Sequence, residues 1–195
     1  MKPEIKIRIA TVDDAQTLLD IYSYYVQNTT LTFEYDVPSL TEFKNRISHT
    51  LERYPYLVAE SDGEIIGYAY AGQFHTRAAY GWSAETTIYL KHGKRREGVG
   101  RKLYTLLEEI LKEQGIVKAI AVITMPIDEY SDFNSMQFHE RLGYHLSGRI
   151  DQCGYKFNRW YTVIWMDKMI GTPGENMTDI KKFDDVKEKF MKENF

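Results

Sequence analysis

The chain has 195 residues, 43% hydrophobic and 27% charged, with only 5 Pro and 13 Gly; this fits one domain with a full core and excludes collagen-like, low-complexity and largely disordered proteins. Its 25 Lys and Arg against 28 Asp and Glu leave a formal net charge of -3, so no overall field attracts nucleic acid or an anionic membrane, and any anion-binding site must be local. No apolar run approaches the roughly 18 to 20 residues of a membrane-spanning helix, and the first residues lack the apolar core of a signal peptide, so we predict a soluble, cytoplasmic protein without nucleic-acid or membrane partners.

The first third of the chain predicts one strand and two helices. Charged residues alternate with Ile in Lys6–Ala10, which is typical of a strand. Thr11 can cap the next helix, whose apolar residues recur at three- and four-residue spacing: Leu18, Leu19, Tyr22, Tyr25 and Val26. Pro38–Ser39 followed by Glu42 indicates a second helix that ends before Pro55 and carries Leu40, Phe43, Ile47 and Leu51.

After Pro55 the hydrophobic period changes from helical to strand-like. Tyr56–Glu60 and Glu64–Ala71 are β-rich runs joined by a short Asp-Gly turn, and they predict a hairpin. A third strand at about Ser83–Leu90 completes an antiparallel meander.

The second half of the chain alternates helices and strands. A polar, glycine-bearing segment from Lys91 to Gly100 leads into a strongly periodic helix that ends at Gly115. Four further elements are predicted: a buried strand at Ile116–Thr124, a short helix at Ser131–Leu142, and strands at about Tyr144–Ile150 and Tyr161–Met166. This order predicts a mixed α/β (α+β) fold with a mostly antiparallel sheet flanked by helices.

The composition of the last residues differs from the rest. After Met169 the segment Gly171–Gly174 leads to a charged tail with an apolar residue at each helical turn, namely Phe183, Val186 and Phe190. We therefore predict a domain of residues 1–169 and a tail of residues 170–195, consisting of a linker and one amphipathic helix. That helix either docks on its own domain or contacts a partner or second subunit.

The most informative segment is Arg95–Arg101, with the sequence Arg-Arg-Glu-Gly-Val-Gly-Arg. Its two glycines let successive N–H groups face one point, and the following helix adds the positive end of its dipole. Its three arginines supply positive charge suited to a diphosphate. From these residues alone, a phosphate site and a solvated basic turn are both open. Nucleoside-triphosphate and dinucleotide fingerprints fit less well, because their lysine and third glycine are missing.

The pattern Arg-x-x-Gly-x-Gly between a meander and a helix resembles the acetyl-coenzyme A loop of the GCN5-related N-acetyltransferases (GNAT). Further segments resemble the phosphinothricin acetyltransferase branch of that superfamily: Thr32–Glu34, Arg53–Pro55, Leu57–Glu60, Gly67–Gly72, Arg77–Tyr80, Glu85–Leu90, Leu103–Tyr104, Ala121–Ile123 and His139–Tyr144. The resemblance implies the GNAT fold, acetyl-CoA as donor with coenzyme A as product, and a homodimer with the active site near the subunit contact. The implied acceptor is the α-amino group of a small amino-acid analogue such as phosphinothricin or methionine sulfone, and no metal is expected.

Two catalytic residues follow from this resemblance. Aminolysis of a thioester needs a neutral amine, whereas an amine with a pKa near 10 is mostly protonated at pH 7, so a base or a water path is required. Glu85 matches the base of the branch, and partial burial of a carboxylate raises its pKa toward working pH. His139 matches a residue that protonates the leaving thiol or orients the site.

The donor is predicted to bind along the end of the third meander strand and the basic loop. Backbone N–H groups near Leu90 can hold the oxyanion and the pantetheine arm if strand pairing splays there. The segment Pro126–His139 is longer than the branch pattern, so either Asp132 or Asn134 takes the place of the usual cofactor-contacting asparagine. The predicted cofactor-binding residues are Ile88, Tyr89, Leu90, Arg95, Arg96, Glu97, Gly98, Val99, Gly100, Arg101 and Asn134.

The acceptor pocket is expected between the loop that joins the first two helices and the third meander strand. Phe33 and Tyr89 are its predicted walls, Glu85 contacts the amine, and Arg77 pairs with an acceptor carboxylate. The leading prediction is therefore an acetyl-CoA-dependent N-acetyltransferase that works by direct transfer in a ternary complex. The alternatives are a peptide N-terminal or polyamine acetyltransferase and a non-catalytic acyl-CoA-binding module.

Overall fold

The computed structural model describes residues 4–93, 98–128 and 133–194 and, apart from residues 133, 134 and 191–194, their side chains. The strands within these ranges are β1 (Ile5–Ile9), β2 (Tyr56–Ser61), β3 (Glu64–Gln73), β4 (Ser83–Leu90), β5 (Lys118–Thr124), β6 (His145–Lys156) and β7 (Arg159–Met169). The helices are α1 (Ala15–Asn28), α2 (Leu40–Leu51), α3 (Val99–Gln114), α4 (Phe133–Arg141) and α5 (Phe183–Asn194), with 3-10 turns at Val12–Asp14 and Ala78–Tyr80. None of the described helices is long and apolar enough to cross a membrane.

The strands form one sheet in the order β1-β2-β3-β4-β5-β7-β6. Strands β4 and β5 pair in parallel, and the other described pairs are antiparallel. The β4–β5 ladder joins only Ser83–Glu85 to Lys118–Ile120, whereas β4 stays paired with β3 up to Leu90 and β5 with β7 up to Thr124. Because the two central strands separate after Glu85, a gap opens in the middle of the sheet.

Two hydrophobic cores lie on opposite faces of this sheet. The core under α3 and α5 is mainly aliphatic, with residues such as Leu103, Leu107 and Ile110. The core under α1 and α2 is rich in tyrosine and includes Tyr22, Tyr25, Tyr56, Tyr68 and Tyr89. Since side chains alternate along a strand, Glu85 shares the α1 face with Tyr89, and Ile88 lies on the α3 face.

The predicted fold class is confirmed, and local signals placed several element ends correctly. Helix α2 begins after Ser39, whose side-chain oxygen accepts a hydrogen bond from the Glu42 N–H at 3.1 Å. Helix α3 ends at Gly115, which has a left-handed φ of 95°. Strand β4 has the predicted limits, Ser83–Leu90.

The last two strands are longer than predicted. Strand β6 does not end at Ile150, because a bulge between Ile150 and Gly154 absorbs the polar residues that interrupt its alternation. Gln152 in this bulge has a φ of 49°. Phe157 and Asn158, with φ values of 50° and 58°, then form the two-residue turn that leads directly into β7.

The C-terminal helix α5 packs on α3 and β1. Its apolar face is buried in the aliphatic core through Phe183, Val186 and Phe190. The side chain of Gln114 donates hydrogen bonds to the carbonyls of Arg53 and Lys181 at 2.8 and 2.9 Å, which ties the segment before α5 to the end of α3. Of the two possibilities for this helix, the structure has it docked on its own chain.

Candidate active site

A cavity of about 300 Å³ lies where β4 and β5 separate. Its walls come from the loop between α1 and α2, the diverging strands, and helices α3 and α4. It brings together five of the predicted site residues: Phe33, Glu85, Ile88, Tyr89 and His139. Residues predicted separately for catalysis, donor binding and acceptor binding therefore face one space.

The backbone of β4 supplies hydrogen-bond donors to the gap. The Lys91 N–H bonds to a carbonyl of β3, and the Trp82 carbonyl accepts a bond from the segment before β5. Because backbone groups alternate between the two neighbours of a strand, the N–H groups of Ile88 and Leu90 face the gap, and that of Tyr89 faces β3. Tyr89 thus lines the cavity, and the residues on either side of it direct N–H groups toward the gap.

Helix α3 begins beside this gap. Gly98 has a φ of 77°, in the left-handed region that favours glycine. A Cβ on Gly100 would lie 2.9 Å from the ring of Phe138 and 3.5 Å from the side chain of Ile88. The N–H groups of residues 99–101 precede the first hydrogen bond within the helix, which leaves them pointing out of its positive end. These groups fit the diphosphate of a coenzyme A thioester.

Part of the predicted donor site lies outside the described residues or side chains, namely Arg95, Arg96, Glu97, Asp132 and Asn134. Of the described members, Arg101 is exposed on the first turn of α3. Val99 is buried in the aliphatic core, so only its backbone can face a ligand.

Glu85 lies at the last paired position of the β4–β5 ladder, opposite Ile120, and lines the cavity. Burial raises the pKa of its carboxyl group, and the nearby His75 opposes this effect. Among the described residues that line the cavity, Glu85 has the only carboxylate. A carboxylate with a raised pKa is better matched to accepting a proton near neutral pH than a fully exposed one.

His139 lies on α4 with only 3% of its surface exposed. Its Nδ1 is 2.7 Å from the Ser135 carbonyl oxygen, and its Nε2 is 3.0 Å from the Tyr104 hydroxyl. Burial lowers the pKa of His139 to about 4, so the ring is neutral at pH 7. Its Nδ1–H then donates to Ser135, and its Nε2 accepts the hydroxyl hydrogen of Tyr104. Tyr104 also lines the cavity, and burial raises the pKa of its hydroxyl well above 10.

The acceptor side contains three of its four predicted residues, namely Phe33, Glu85 and Tyr89. The ring of Tyr89 packs edge-on against Tyr22 with centroids 5.0 Å apart, and the Tyr22 hydroxyl is 2.7 Å from the side-chain oxygen of Thr32. Phe33 follows Thr32 on the same wall. Arg77 is exposed just before the second 3-10 turn and does not line the cavity, so its contact with an acceptor carboxylate stays a prediction.

Sequence reasoning missed Lys156, at the end of β6. Its side chain is buried, and its Nζ donates to three backbone carbonyls at the end of α1 and in the loop that lines the cavity. A single lysine before a two-residue turn carries no local signal for this position, because all three acceptors lie more than 120 residues away in the chain.

Comparison with known proteins places this geometry in a family. The acetyltransferase (GNAT) domain family matches residues 7–165. A phosphinothricin N-acetyltransferase from Streptomyces viridochromogenes is 37% identical over 166 residues, covering 84% of this chain and 88% of the relative. An L-methionine sulfoximine/L-methionine sulfone acetyltransferase from Pseudomonas aeruginosa is 32% identical over 165 residues, covering 82% and 91%.

The solved structures agree with this assignment. A GNAT superfamily phosphinothricin acetyltransferase from Sinorhizobium meliloti, in complex with AcCoA, superposes with a TM-score of 0.81 at 30% identity, covering 94% of this chain and 99% of that one. The donor gap and the start of α3 described above therefore belong to a fold that binds acetyl-CoA in a solved relative. The chain is a member of the GNAT family, an N-acetyltransferase with acetyl-CoA as its acetyl donor.

Proposed function

We propose that this enzyme transfers the acetyl group directly to the α-amino group of a small amino-acid-like acceptor, of the phosphinothricin or methionine sulfone type. The observation that carries the proposal is that Glu85 lines a cavity in which the β4–β5 gap meets the loop between α1 and α2. An amine beside Glu85 is then also beside the gap, so the acetyl group needs no covalent enzyme intermediate. The names of the relatives support this acceptor class.

In this proposal Glu85 is the general base. Its carboxylate takes a proton from the acceptor ammonium, and the neutral nitrogen then forms a bond to the acetyl carbonyl carbon. The N–H of Ile88, which faces the gap, stabilises the oxygen as negative charge develops on it. The carbon–sulfur bond breaks as the carbonyl re-forms, the nitrogen loses its second proton, and the departing thiolate takes up one proton to leave as the coenzyme A thiol. Glu85 then returns its proton to solvent, so each turnover releases one proton.

For His139 we propose the orienting role rather than direct protonation of the thiol. With a pKa of about 4, too little imidazolium exists at pH 7 to act as the acid. Its Nε2 instead fixes the direction of the Tyr104 hydroxyl hydrogen. The Tyr104 oxygen keeps lone pairs that can accept a hydrogen bond within the cavity.

For donor binding, we propose that the loop of residues 95–101 holds the diphosphate, with Arg101 at its rim. The N–H groups of Ile88 and Leu90 would hold the pantetheine arm along the gap. Asn134 is the proposed contact from α4. Together these groups combine helix-terminal N–H donors with the positive charge of arginine side chains, the pairing that diphosphates favour.

For the acceptor, Phe33 and Tyr89 are the proposed walls, and Arg77 the proposed partner of the carboxylate. Arg77→Glu would raise the KM of an amino-acid acceptor, because a like charge replaces the bidentate partner. The same change would leave a polyamine acceptor unaffected or improve its binding. Lys112→Glu, a charge reversal on an exposed position of the last turn of α3, is the control for a general change in charge.

The acceptor class is tested by thiol release from acetyl-CoA with phosphinothricin, methionine sulfone, spermidine and a short peptide. We expect turnover with the two amino-acid analogues and only background hydrolysis with the others. Turnover restricted to spermidine or the peptide would replace the proposed acceptor class. Double-reciprocal plots with both substrates varied should intersect, as for a ternary complex; parallel lines would indicate an acyl-enzyme and refute direct transfer.

We also propose that the enzyme is a cytoplasmic homodimer. Strand β6 lies at the edge of the sheet, and Leu146 and Ile150 on it are 58% and 48% exposed, with Trp160 on β7 at 56%. Exposed apolar side chains along a sheet edge favour a protein interface there. Light scattering should give twice the chain mass of 22.9 kDa, and Leu146→Asp should shift it toward the single-chain value.

A further inference from the structure

The end of β6 is attached to the loop that follows α1, far from it in sequence. Lys156 is 2% exposed, and its Nζ lies 2.7, 2.8 and 2.9 Å from the carbonyl oxygens of Val26, Thr29 and Thr32. Burial lowers the pKa of Lys156 to about 8, and Glu34 acts in the opposite direction. At neutral pH the ammonium therefore has three hydrogens, one for each carbonyl.

The two residues before Lys156 contact the same loop. A Cβ on Gly154 would lie 2.2 Å from the ring of Phe33, so the ring occupies the space that a side chain at this position would need. The Tyr35 hydroxyl donates a hydrogen bond to the Tyr155 carbonyl. Gly154–Lys156 thus forms a short clamp on this loop. Gly154 contacts it by close packing against Phe33, and Tyr155 and Lys156 contact it by hydrogen bonds.

The clamped loop is the acceptor wall of the cavity. Its residues 30–33 all line the cavity, opposite the β4 segment that carries Glu85. The Thr30 carbonyl also accepts a hydrogen bond at 2.6 Å from the side chain of Thr124, on the other strand that borders the gap. The described contacts from β6 reach this wall, whereas the donor side is built from β4 and α3.

We propose that Lys156 and Gly154 are positioning residues that set the distance between the acceptor wall and Glu85, and so determine acceptor binding without contributing to acetyl-CoA binding. This inference rests on the proposed function, because it takes the wall at residues 30–33 to contact the acceptor. Lys156 touches no reacting atom in this scheme. Its three hydrogen bonds hold the main chain of the loop, and Gly154 leaves room for Phe33.

The first test replaces Lys156 with Met, which has a similar length and no hydrogen-bond donor. Because the variant loses all three hydrogen bonds that hold the main chain of the wall, we expect the acceptor KM to rise about tenfold or more. The KM of acetyl-CoA should stay within about twofold. The matched control is Lys118→Met. It removes an ammonium whose Nζ lies 3.2 Å from a carboxylate oxygen of Asp167, and neither residue lines the cavity.

Hydrogen exchange supplies a readout that does not depend on the acceptor. In Lys156→Met, peptides covering residues 29–39 should lose protection, and peptides covering 99–114 should not. Loss of loop protection with an unchanged acceptor KM would make Lys156 merely structural and overturn the inference. If the wild-type enzyme acetylates none of the amines offered, the proposed function fails, while the exchange result still reports on the clamp.

A second pair of variants covers the case in which Lys156→Met does not fold. Gly154→Ala should raise the acceptor KM because its methyl group displaces the Phe33 ring, and the increase should vanish when Phe33 is first replaced by Ala. Equal effects of Gly154→Ala in both backgrounds, or parallel changes in both KM values, would overturn the inference.

Discussion

The donor side of the cavity comes mainly from one stretch of chain, the end of β4 and the start of α3, with Asn134 as the one proposed contact from elsewhere. The acceptor side is assembled from segments more than 100 residues apart. Gly98 and Gly100 lie within the basic loop and helix start that they serve. Phe33, in contrast, owes its place to Gly154, and its loop to Lys156. A donor site of this kind leaves a contiguous motif in the sequence, and an acceptor wall of this kind leaves none.

The largest expected effect is at Glu85, where the two sides meet. Glu85→Gln should lower kcat by about 10²–10⁴-fold, the usual contribution of a general base, with little change in acetyl-CoA affinity measured by calorimetry. In the wild type the rate should rise with pH through the raised pKa of Glu85, because only the carboxylate accepts a proton. The variant should lose this dependence.

The control for this change is Glu109→Gln, on an exposed position of α3. The folded state favours protonated Glu85, so its ionisation costs stability as pH rises. Glu85→Gln should therefore melt at the same or a higher temperature at pH 7.5. A variant that is inactive because it melts far below the wild type would remove the evidence for a base.

The next effect concerns the support of α3 on the donor side. Phe183→Ala truncates a fully buried ring of α5 and should lower the free energy of unfolding by about 3–5 kcal/mol, measured by denaturant titration. Glu188→Ala on the exposed side of the same helix should change it by less than about 0.5 kcal/mol. Below the unfolding transition, the ratio of the two KM values should stay as in the wild type; a selective rise in the acceptor KM would mean that α5 also acts on the acceptor wall.

The features that the sequence predicts are those with a local signal, and the features that it misses depend on contacts between distant parts of the chain. The period of Phe183, Val186 and Phe190 predicted a helix, and Ser39 and Gly115 marked helix ends, because each signal is local. The extension of β6 past Ile150 was missed, since a bulge resets the alternation without changing composition. Lys156 was missed for another reason: a buried ammonium that binds backbone carbonyls depends on which carbonyls the fold brings to it.

The pH dependence of stability distinguishes His139 from Glu85, because ionisation of Glu85 costs stability as pH rises and protonation of His139 costs stability as pH falls. Because the folded state lowers the pKa of His139 from 6.5 to about 4, the unfolded chain binds more protons between these values. Stability from this group is thus complete above about pH 6.5 and lost as pH falls toward 4, by about 3 kcal/mol at 1.36 kcal/mol per pKa unit. His139→Gln should be less stable at pH 7 and lose less stability on acidification. A ring NMR signal of His139 that titrates near pH 6.5 would contradict the neutral, hydrogen-bonded state.

The smallest effect is expected at Ser39, which caps α2 at the end of the loop between α1 and α2. Ser39→Ala removes the acceptor for the Glu42 N–H and should cost about 1 kcal/mol in the free energy of unfolding, whereas Ser39→Asp keeps a capping oxygen and should cost little. If the clamp at Lys156 alone holds the acceptor wall in position, neither variant should change the acceptor KM by more than about twofold. That is well below the tenfold change that corresponds to 1.4 kcal/mol. A larger rise in Ser39→Ala, absent from Ser39→Asp, would show that the loop is held from both ends, because a frayed α2 would then release the wall even with all three hydrogen bonds of Lys156 in place.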